Sequence, residues 1–294
     1  MQSQKMKWRH GETAYTVFGD LKSPLTPLVI LHGGPGSTSR GTATIAKYVD
    51  ATGRPAVVYD QIGCGESSPL LEKPQEFWQI PLFIEEFDAM IEHLEIGNNF
   101  SILGHSWGGL LAAEIAITQP SGLKSLVLSS ALGDTQMWMD EVRKLVLQMP
   151  SDIAEIIIKH EDGGTTDDPE YMIAAEKFYD RHVIRIPKPP HVLAYSADVD
   201  AHPNVYHSMW GRSELNCNGT LRGHTVTDRL EQINVPTLIL SGRHDESTPA
   251  INELFKSKIK GSRWEIFEES AHYTYLEEAG KYQRVINEFL IARE

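Results

Sequence analysis

A serine at position 106 stands in a setting that could make its hydroxyl a nucleophile. Residues 104–108 read Gly-His-Ser-Trp-Gly, directly after the apolar run 100–103 and before a helix-forming stretch. This order predicts a strand, a sharp turn with Ser106 at its apex, and a helix. A serine hydroxyl reacts only when a base and an oxyanion-binding group lie beside it. The pattern therefore predicts that an acid and a histidine follow later in the chain.

Two later stretches supply these partners. Asp245 follows the β-rich run 237–241, and His272 follows the strand-like run 264–267. Because the carboxyl ends of parallel strands meet at one edge of a sheet, we expect both side chains to meet Ser106 there. The three residues in this order predict a catalytic triad of nucleophile, acid and base. The alternatives are a solvated loop aspartate and a structural histidine.

A glycine-rich turn near the front of the chain could bind the oxyanion of such a reaction. Residues 32–36 read His-Gly-Gly-Pro-Gly and follow an apolar run. We expect the backbone N–H groups of Gly34 and Trp107 to point at the developing oxyanion. A phosphate-binding loop is the alternative, but the Lys-Ser/Thr of a Walker motif and the third glycine of a dinucleotide fingerprint are missing. His32 and His105 are interpreted as structural neighbours of the two turns.

The composition is typical of a soluble globular protein. The 294 residues are 41% hydrophobic and 23% charged, with a formal net charge of −13. Such a charge disfavours nucleic acid and anionic membranes as partners. The first residues lack the apolar core of a signal peptide, and no apolar run reaches the length of a membrane span, so we expect a cytoplasmic protein. Cys64 and Cys217 lie far apart in sequence and imply no disulfide framework.

The elements that must position these residues can be followed along the chain. Residues 7–20 alternate as a leading antiparallel hairpin. Apolar residues recur at helical spacing from 83 to 94 and from 282 to 290, which predicts a crossover helix and a last helix packed on the sheet. Further strands are expected at 28–31, 56–59, 100–103 and 126–128. The sequence therefore predicts an α/β fold with a mostly parallel central sheet and helices on both faces.

The pattern changes in the middle of the chain. Asp134 can cap one helix, and Asp168 followed by proline can open another. Strand signals resume only at Pro236. We therefore predict a core domain interrupted by an inserted helical cap, with the core at residues 1–133 and 226–294 and the cap at 134–225.

Three motifs together resemble those of the proline iminopeptidase (prolyl aminopeptidase) family, in its shorter members. They are His-Gly-Gly-Pro-Gly at 32–36, Asp-Gln-Ile-Gly-Cys-Gly-Glu-Ser at 60–67 and Gly-His-Ser-Trp-Gly-Gly at 104–109. The combination is more specific than any one motif, and the likeness runs over essentially the whole chain. The resemblance implies an α/β-hydrolase fold with a helical cap and no metal or organic cofactor. It also implies release of an N-terminal residue, often proline, from peptides, and close relatives cleave amino-acid amides.

Two glutamates fit this resemblance and also have a physical meaning of their own. Glu246 directly follows Asp245, at the rim of the expected site, and Glu214 resembles the cap glutamate of the family. Carboxylates are natural counter-charges for a free N-terminal ammonium group. The alternative is that both are ordinary exposed glutamates. The main departure from the family is Ile62, where arginine is usual, and it removes a potential internal ion pair.

The sequence thus predicts a serine hydrolase that releases an N-terminal residue, proline or a small apolar one, from short peptides or amino-acid amides through an acyl-enzyme. An amide hydrolase with little peptidase activity would use the same residues. A small-ester or lactone hydrolase would not need Glu214 or Glu246, and a non-catalytic receptor would bind a ligand without turnover. Dehalogenase and epoxide hydrolase chemistry is disfavoured because those members of the fold use aspartate where this chain has Ser106. Three aromatic residues could form either an apolar wall around a small ring or plain core: Trp107, Tyr206 and Trp210.

Overall fold

The computed structural model describes residues 3–189 and 203–293. The strands, in chain order, are β1 (Gln4–Trp8), β2 (Gly11–Phe18), β3 (Leu28–Leu31), β4 (Ala56–Asp60), β5 (Phe100–His105), β6 (Leu123–Ser129), β7 (Thr237–Gly242) and β8 (Arg263–Phe267). They form an eight-stranded sheet in the order β1-β2-β4-β3-β5-β6-β7-β8. β1 and β2 form an antiparallel hairpin, β2 pairs antiparallel with β4, and the remaining neighbours pair in parallel. The predicted hairpin and mostly parallel sheet are confirmed.

Helices cover both faces of this sheet. In chain order they are α1 (Ala43–Asp50), α2 (Ile80–His93), α3 (Trp107–Ile117), α4 (Thr135–Leu147), α5 (Ser151–Gly163), α6 (Pro169–His182), α7 (Pro203–Met209), α8 (Pro249–Lys258), α9 (Thr274–Glu277) and α10 (Ala279–Ile291). Two 3₁₀ helices accompany them, at Gln75–Phe77 and Thr227–Gln232. Both the crossover helix and the last helix were predicted, and both are present as α2 and α10.

The central strand β3 shows why the parallel strands are apolar throughout. All four of its residues are fully buried. Val29 and Leu31 pack with side chains of α2 and α3 on one face, whereas Leu28 and Ile30 pack with those of α1 and α10 on the other. Alternate side chains of a strand point to opposite faces, so a strand covered on both sides needs an apolar residue at every position.

Within the described part of the chain between β6 and β7 lie the four α-helices α4 to α7. Asp134 accepts a hydrogen bond of 2.7 Å from the N–H of Met137 at the start of α4. Asp168 accepts one of 2.8 Å from the N–H of Glu170 at the start of α6, whose first residue is a proline. Both predicted helix starts are therefore confirmed. The cap boundaries at 134–225 stay a prediction, and residues 190–202 of that range lie outside the described residues.

No helix in residues 3–189 or 203–293 is both long and apolar enough to cross a membrane. The thiols of Cys64 and Cys217 are buried and are not joined in a disulfide.

A buried carboxylate ties α3 to the 3₁₀ helix Thr227–Gln232. Glu114 is 6% exposed. It accepts two hydrogen bonds from the guanidinium of Arg229, at 2.8 and 2.7 Å, and is 2.7 Å from Nε2 of His224. Burial by itself raises the pKa of Glu114, but the bonds to His224 and Arg229 outweigh it and lower this pKa to about 2. The carboxyl group is therefore ionised, and it needs its partners.

We expect Arg229→Ala to lower the free energy of unfolding at pH 7 by about 1.5–3 kcal/mol, because it leaves the Glu114 carboxylate without its main donor. Urea unfolding measures this. A group with a lowered pKa stabilises the fold above its ordinary pKa, so the difference should shrink as the pH falls toward 2. The control is Arg143→Ala, which breaks an exposed pair with Asp162 and should cost about 0–1 kcal/mol. Equal losses in the two variants would contradict the prediction.

Candidate active site

Ser106 lies at the apex of the turn between β5 and α3, as predicted. Its backbone has φ 57° and ψ −121°, a conformation that is strained for a residue with a side chain. The turn is held because the N–H of Ser106 donates to the carbonyl of Ser129 at 3.0 Å. Its own carbonyl accepts from the N–H groups of Gly109, at 2.8 Å, and Leu132, at 3.3 Å. These bonds fix the serine against the end of β6, and Ser106 lines a cavity of about 480 Å³.

Two glycines allow the chain to turn so sharply. A Cβ atom on Gly104 would overlap the carbonyl oxygen of Gly108, and one on Gly108 would overlap the carbonyl oxygen of Leu31. The end of β3, the turn and the first turn of α3 therefore touch backbone to backbone. The glycine spacing in the motif is a packing requirement of the turn.

The predicted acid and histidine meet after the last two strands of the sheet. Nδ1 of His272 is 2.7 Å from Oδ1 of Asp245, and both side chains are buried. The same Oδ1 accepts from the N–H of Ser247 at 2.7 Å, and Oδ2 accepts from the N–H of Gly242 at 3.4 Å. These bonds hold the carboxylate still, so the imidazole has one orientation and keeps Nε2 for other partners. His272 and Ser106 line the same cavity.

Both predicted glutamates also line this cavity. Glu246 is buried, 1% exposed, and its Oε1 lies 3.9 Å from Nε2 of His272. Its Oε2 has no hydrogen-bond partner among residues 3–189 and 203–293. Glu214 is half-buried and accepts a hydrogen bond from the hydroxyl of Tyr206. Neither is an ordinary exposed glutamate, and Glu246 lies deeper than the rim position that its place in the sequence suggested.

The carboxyl groups dominate the electrostatics of the cavity. Burial lowers the pKa of His272, but the charges of Asp245, Glu246 and Glu214 outweigh it and raise this pKa to about 9. Burial raises the pKa of Glu246 well above its ordinary value, and the charge of Glu214 adds to the effect. Burial also raises the pKa of Glu214, against the hydrogen bond from Tyr206. Around His272, the acidic groups Asp245, Glu246 and Glu214 therefore outweigh the positive charge of a single imidazolium.

The glycine-rich turn after β3 lies against the serine. A Cβ atom on Gly33 would be 3.1 Å from the Cβ of Ser106, and Gly34 has φ 115° and lines the cavity. Trp107 is the first residue of α3, so its N–H has no partner within the helix and lies at the positive end of the helix dipole. The turn and the helix start therefore flank the serine from two sides. The oxyanion roles of Gly34 and Trp107 stay predictions.

A hydrogen-bond chain joins the three motif loops through Gln61, a residue for which the sequence alone predicts no role. The indole of Trp107 donates to Oε1 of Gln61 at 2.8 Å. The N–H of Gln61 donates to Nε2 of His32 at 3.0 Å, and its side-chain amide donates to the carbonyl of His32 at 3.1 Å. Nδ1 of His32 must then carry the proton that it shares with the carbonyl of Gly33 at 2.8 Å. His32 therefore holds the loops together, in agreement with its structural interpretation.

His105 and Ile62 are the two other motif residues that needed an explanation. The ring of His105 packs 4.8 Å from that of His272, and burial lowers the pKa of His105 well below its ordinary value. It therefore stays neutral beside the candidate base.

Ile62 is buried, and its N–H donates to Oε2 of Glu86 at 3.1 Å. Burial raises the pKa of Glu86 to about 8, so this loop needs no cation where the family usually has arginine.

Of the three aromatic candidates, Tyr206 lines the cavity. The indole N–H groups of Trp107 and Trp210 are used inside the protein, by Gln61 and by the carbonyl of Ser213. Both tryptophans are buried core residues.

This sheet order, with a serine at a strand–helix turn and an Asp–His pair after the last two strands, defines an α/β-hydrolase. The family model for the alpha/beta hydrolase fold matches residues 26–279.

Relatives give the more particular assignment. The chain is 37% identical to a proline iminopeptidase of Heyndrickxia coagulans, over 90% of each chain, and 34% identical to one of Levilactobacillus brevis, over 100% of this chain and 98% of the relative. Its structure is similar to that of a proline iminopeptidase of Mycobacterium smegmatis, with a TM-score of 0.93, 38% identity and coverage of 99% and 98%. It is also similar to VinJ, with a TM-score of 0.96, 39% identity and coverage of 100% and 99%. The chain belongs to the proline iminopeptidase family, and the predicted class, a hydrolase with an aminopeptidase-like activity, is confirmed.

We expect Gly108→Ala to lower the free energy of unfolding by about 1–3 kcal/mol, because the added methyl group pushes α3 away from the end of β3. Thermal and urea unfolding measure the loss. Gly280→Ala is the matched control, since Gly280 lies in α10 and a Cβ atom there meets nothing within 4 Å. That substitution should raise the free energy of unfolding by about 0.4–1 kcal/mol. A Gly108→Ala variant as stable as the Gly280→Ala variant would refute the packing argument.

Proposed function

We propose that this chain removes the N-terminal residue, with proline as the preferred one, from short peptides and amino-acid amides. The observation that carries the proposal is the pair Glu214 and Glu246, which share one cavity with Ser106 and the Asp245–His272 pair. Proline iminopeptidases with 32–37% identity over 90% or more of this chain support the same activity. An ester or lactone hydrolase has no use for two carboxylates around its acyl group.

The proposed mechanism is acyl transfer to Ser106. Nε2 of His272 takes the hydroxyl proton as the serine oxygen attacks the scissile carbonyl, and Asp245 orients the imidazole and stabilises its charged form. The N–H groups of Gly34 and Trp107 stabilise the oxyanion. His272 then protonates the leaving amine. Water repeats the sequence on the acyl-enzyme and releases the free amino acid.

The glutamates explain why a free amine is required. An ammonium group that enters this cavity loses its hydration and needs charged acceptors in return. Glu246 has an unused oxygen, and Glu214 is held in place by Tyr206. A prolyl terminus carries two N–H donors on its ring nitrogen, which matches one bond to each carboxylate. Tyr206, Tyr179 and Tyr273 line the cavity and supply the apolar surface that a five-membered ring needs.

Three points from the sequence stay predictions alongside this proposal. They are the extent of the helical cap, a cytoplasmic location, and the absence of nucleic-acid and membrane partners, the last inferred from the net charge of −13.

A fluorophosphonate probe should label this protein at Ser106 alone, because the proposed mechanism gives this serine both a base and an oxyanion-binding site. We expect Ser106→Ala to remove labelling and to lower kcat for proline 4-nitroanilide by about 10⁶-fold. Mass spectrometry of the labelled peptide gives the position. Ser37→Ala is the matched control, since Ser37 lines the same cavity and should leave labelling intact. Folded protein that takes up no label would favour a non-catalytic receptor.

We expect Glu214→Gln and Glu246→Gln each to lower kcat/KM for proline 4-nitroanilide by about tenfold to a hundredfold, since a hydrogen bond to a charged group contributes about 1.5–3 kcal/mol. Neither substitution should slow hydrolysis of the neutral ester 4-nitrophenyl acetate. N-acetyl-proline 4-nitroanilide should be a poor substrate of the unmodified enzyme. Glu231→Gln, at an exposed carboxylate that is paired with Lys258 and does not line the cavity, is the control and should behave like the unmodified enzyme. Equal losses on amine and ester would argue against amine recognition.

A further inference from the structure

We propose that Glu246 holds the unliganded enzyme in an inactive protonation state, with His272 as imidazolium, and that the ammonium group of the substrate releases the base. The inference rests on the proposed function. In addition to anchoring the substrate, the substrate amine causes the deprotonation of His272 that makes it a base.

The geometry around His272 suggests this role. Nδ1 is taken by Asp245 at 2.7 Å, so Nε2 is the nitrogen that must accept the proton of Ser106. Oε1 of Glu246 lies 3.9 Å from that same Nε2. This distance is too long for a hydrogen bond but short enough for a strong charge interaction between buried groups. Burial raises the pKa of Glu246, but the imidazolium of His272 lowers it, and the Glu246 carboxylate in turn raises the pKa of His272. Each group therefore favours the charged form of the other, and the ionised Glu246 favours a proton on the nitrogen that must be free to act as the base.

No other described neighbour of His272 offsets this negative charge. Glu214 adds to the effect of Asp245 and Glu246, and together they raise the pKa of His272 to about 9 although burial lowers it. Because this pKa lies above 7, the imidazolium is the favoured form of His272 in the unliganded enzyme at neutral pH. Most of the unliganded enzyme therefore lacks its base.

Two cations line the same cavity, but each is paired with an acidic side chain: Lys188 with Glu176 and Asp180, and Arg212 with Asp167. Burial lowers the pKa of His182, which interacts with Asp245, so it favours the neutral form.

The aromatic groups packed against His272 are neutral as well. His105 packs 4.8 Å from the ring of His272, and burial lowers its pKa well below the ordinary value. Tyr273 and Trp138 pack with ring centroids at 6.0 Å. Burial raises the pKa of Tyr273, and that of Tyr179 beside the two glutamates, so neither phenol ionises near neutral pH. The charge of the cluster is thus set by three carboxyl groups and one imidazole.

A bound ammonium group changes this balance. It neutralises the carboxylates that stabilise the imidazolium, and it repels the imidazolium directly. The proton on Nε2 leaves to solvent, so one positive charge enters the cavity as another departs. His272 is then neutral beside the bound scissile carbonyl. A neutral ester brings no such charge and meets a base that is still protonated.

The direct test follows the titration of His272 by NMR in the Ser106→Ala protein with isotope-labelled histidine. The resonance is assigned by its loss in a Ser106→Ala/His272→Gln protein. We expect the pKa of His272 to fall by about one pH unit or more when prolinamide is bound. It should fall similarly, without ligand, in Ser106→Ala/Glu246→Gln. The ligand arm does not depend on the folding of the Glu246 variant.

A kinetic test uses enzyme with Ser106 present. With a lower His272 pKa, Glu246→Gln should raise kcat/KM for 4-nitrophenyl acetate about tenfold at pH 7 and leave it nearly unchanged at pH 10. Glu268→Gln is the control, because it removes the same charge from an exposed ion pair with Arg243 and should leave the pH profile in place. A role in amine binding alone would move neither the titration nor the ester profile.

The possible outcomes distinguish a failure of the base-release proposal from a failure of the proposed aminopeptidase function. Prolinamide that binds and is hydrolysed, with an unchanged His272 titration, overturns the release of the base and leaves the aminopeptidase assignment standing. If Glu246→Gln leaves the pH dependence of kcat/KM for 4-nitrophenyl acetate unchanged, the release of the base is likewise overturned and the aminopeptidase assignment still stands. Prolinamide that neither binds nor is hydrolysed overturns both.

Discussion

The hydrogen bond between His272 and Asp245 is the interaction on which the site depends. It joins residues from the loops after β7 and β8, and parallel pairing of these two strands brings the loops to one sheet edge. The bond fixes which imidazole nitrogen faces inward and so decides what the neighbouring groups can do. Backbone N–H groups of Gly242 and Ser247 fix the carboxylate in turn. Without this bond the strained serine turn would have no base.

A second set of bonds places the remaining loops around that pair. His32, Gln61 and Trp107 follow β3, β4 and β5, and their hydrogen bonds link the three loops directly. This explains physically why three motifs far apart in sequence belong together. Each motif supplies one part of a buried polar network, and a network with a missing member leaves a buried donor or acceptor unpaired, which is costly. The network holds the glycine-rich turn and the serine turn in register.

Local signals in the sequence were enough to predict the main strands, the serine turn, both capped helices and the meeting of Asp245 with His272. They did not reveal α1 or α8, helices of eight and ten residues, because short helices depend on packing against the sheet more than on their own periodicity. Contacts between residues that lie far apart in the sequence could not be predicted either. The role of Gln61 and the closeness of Glu246 to Nε2 of His272 depend on loops that meet only in the folded chain.

The same long-range packing gives the cavity an unusual charge. Buried carboxylates are costly unless cations or donors compensate them, yet Glu246 has an unused oxygen. Elsewhere the chain compensates such a group fully, since Glu114 binds both Arg229 and His224. A site with an uncompensated buried carboxylate is less stable when it is empty than when a cation occupies it. Part of the binding free energy of an ammonium group therefore comes from relieving a penalty that folding created, and neutral ligands cannot gain that part.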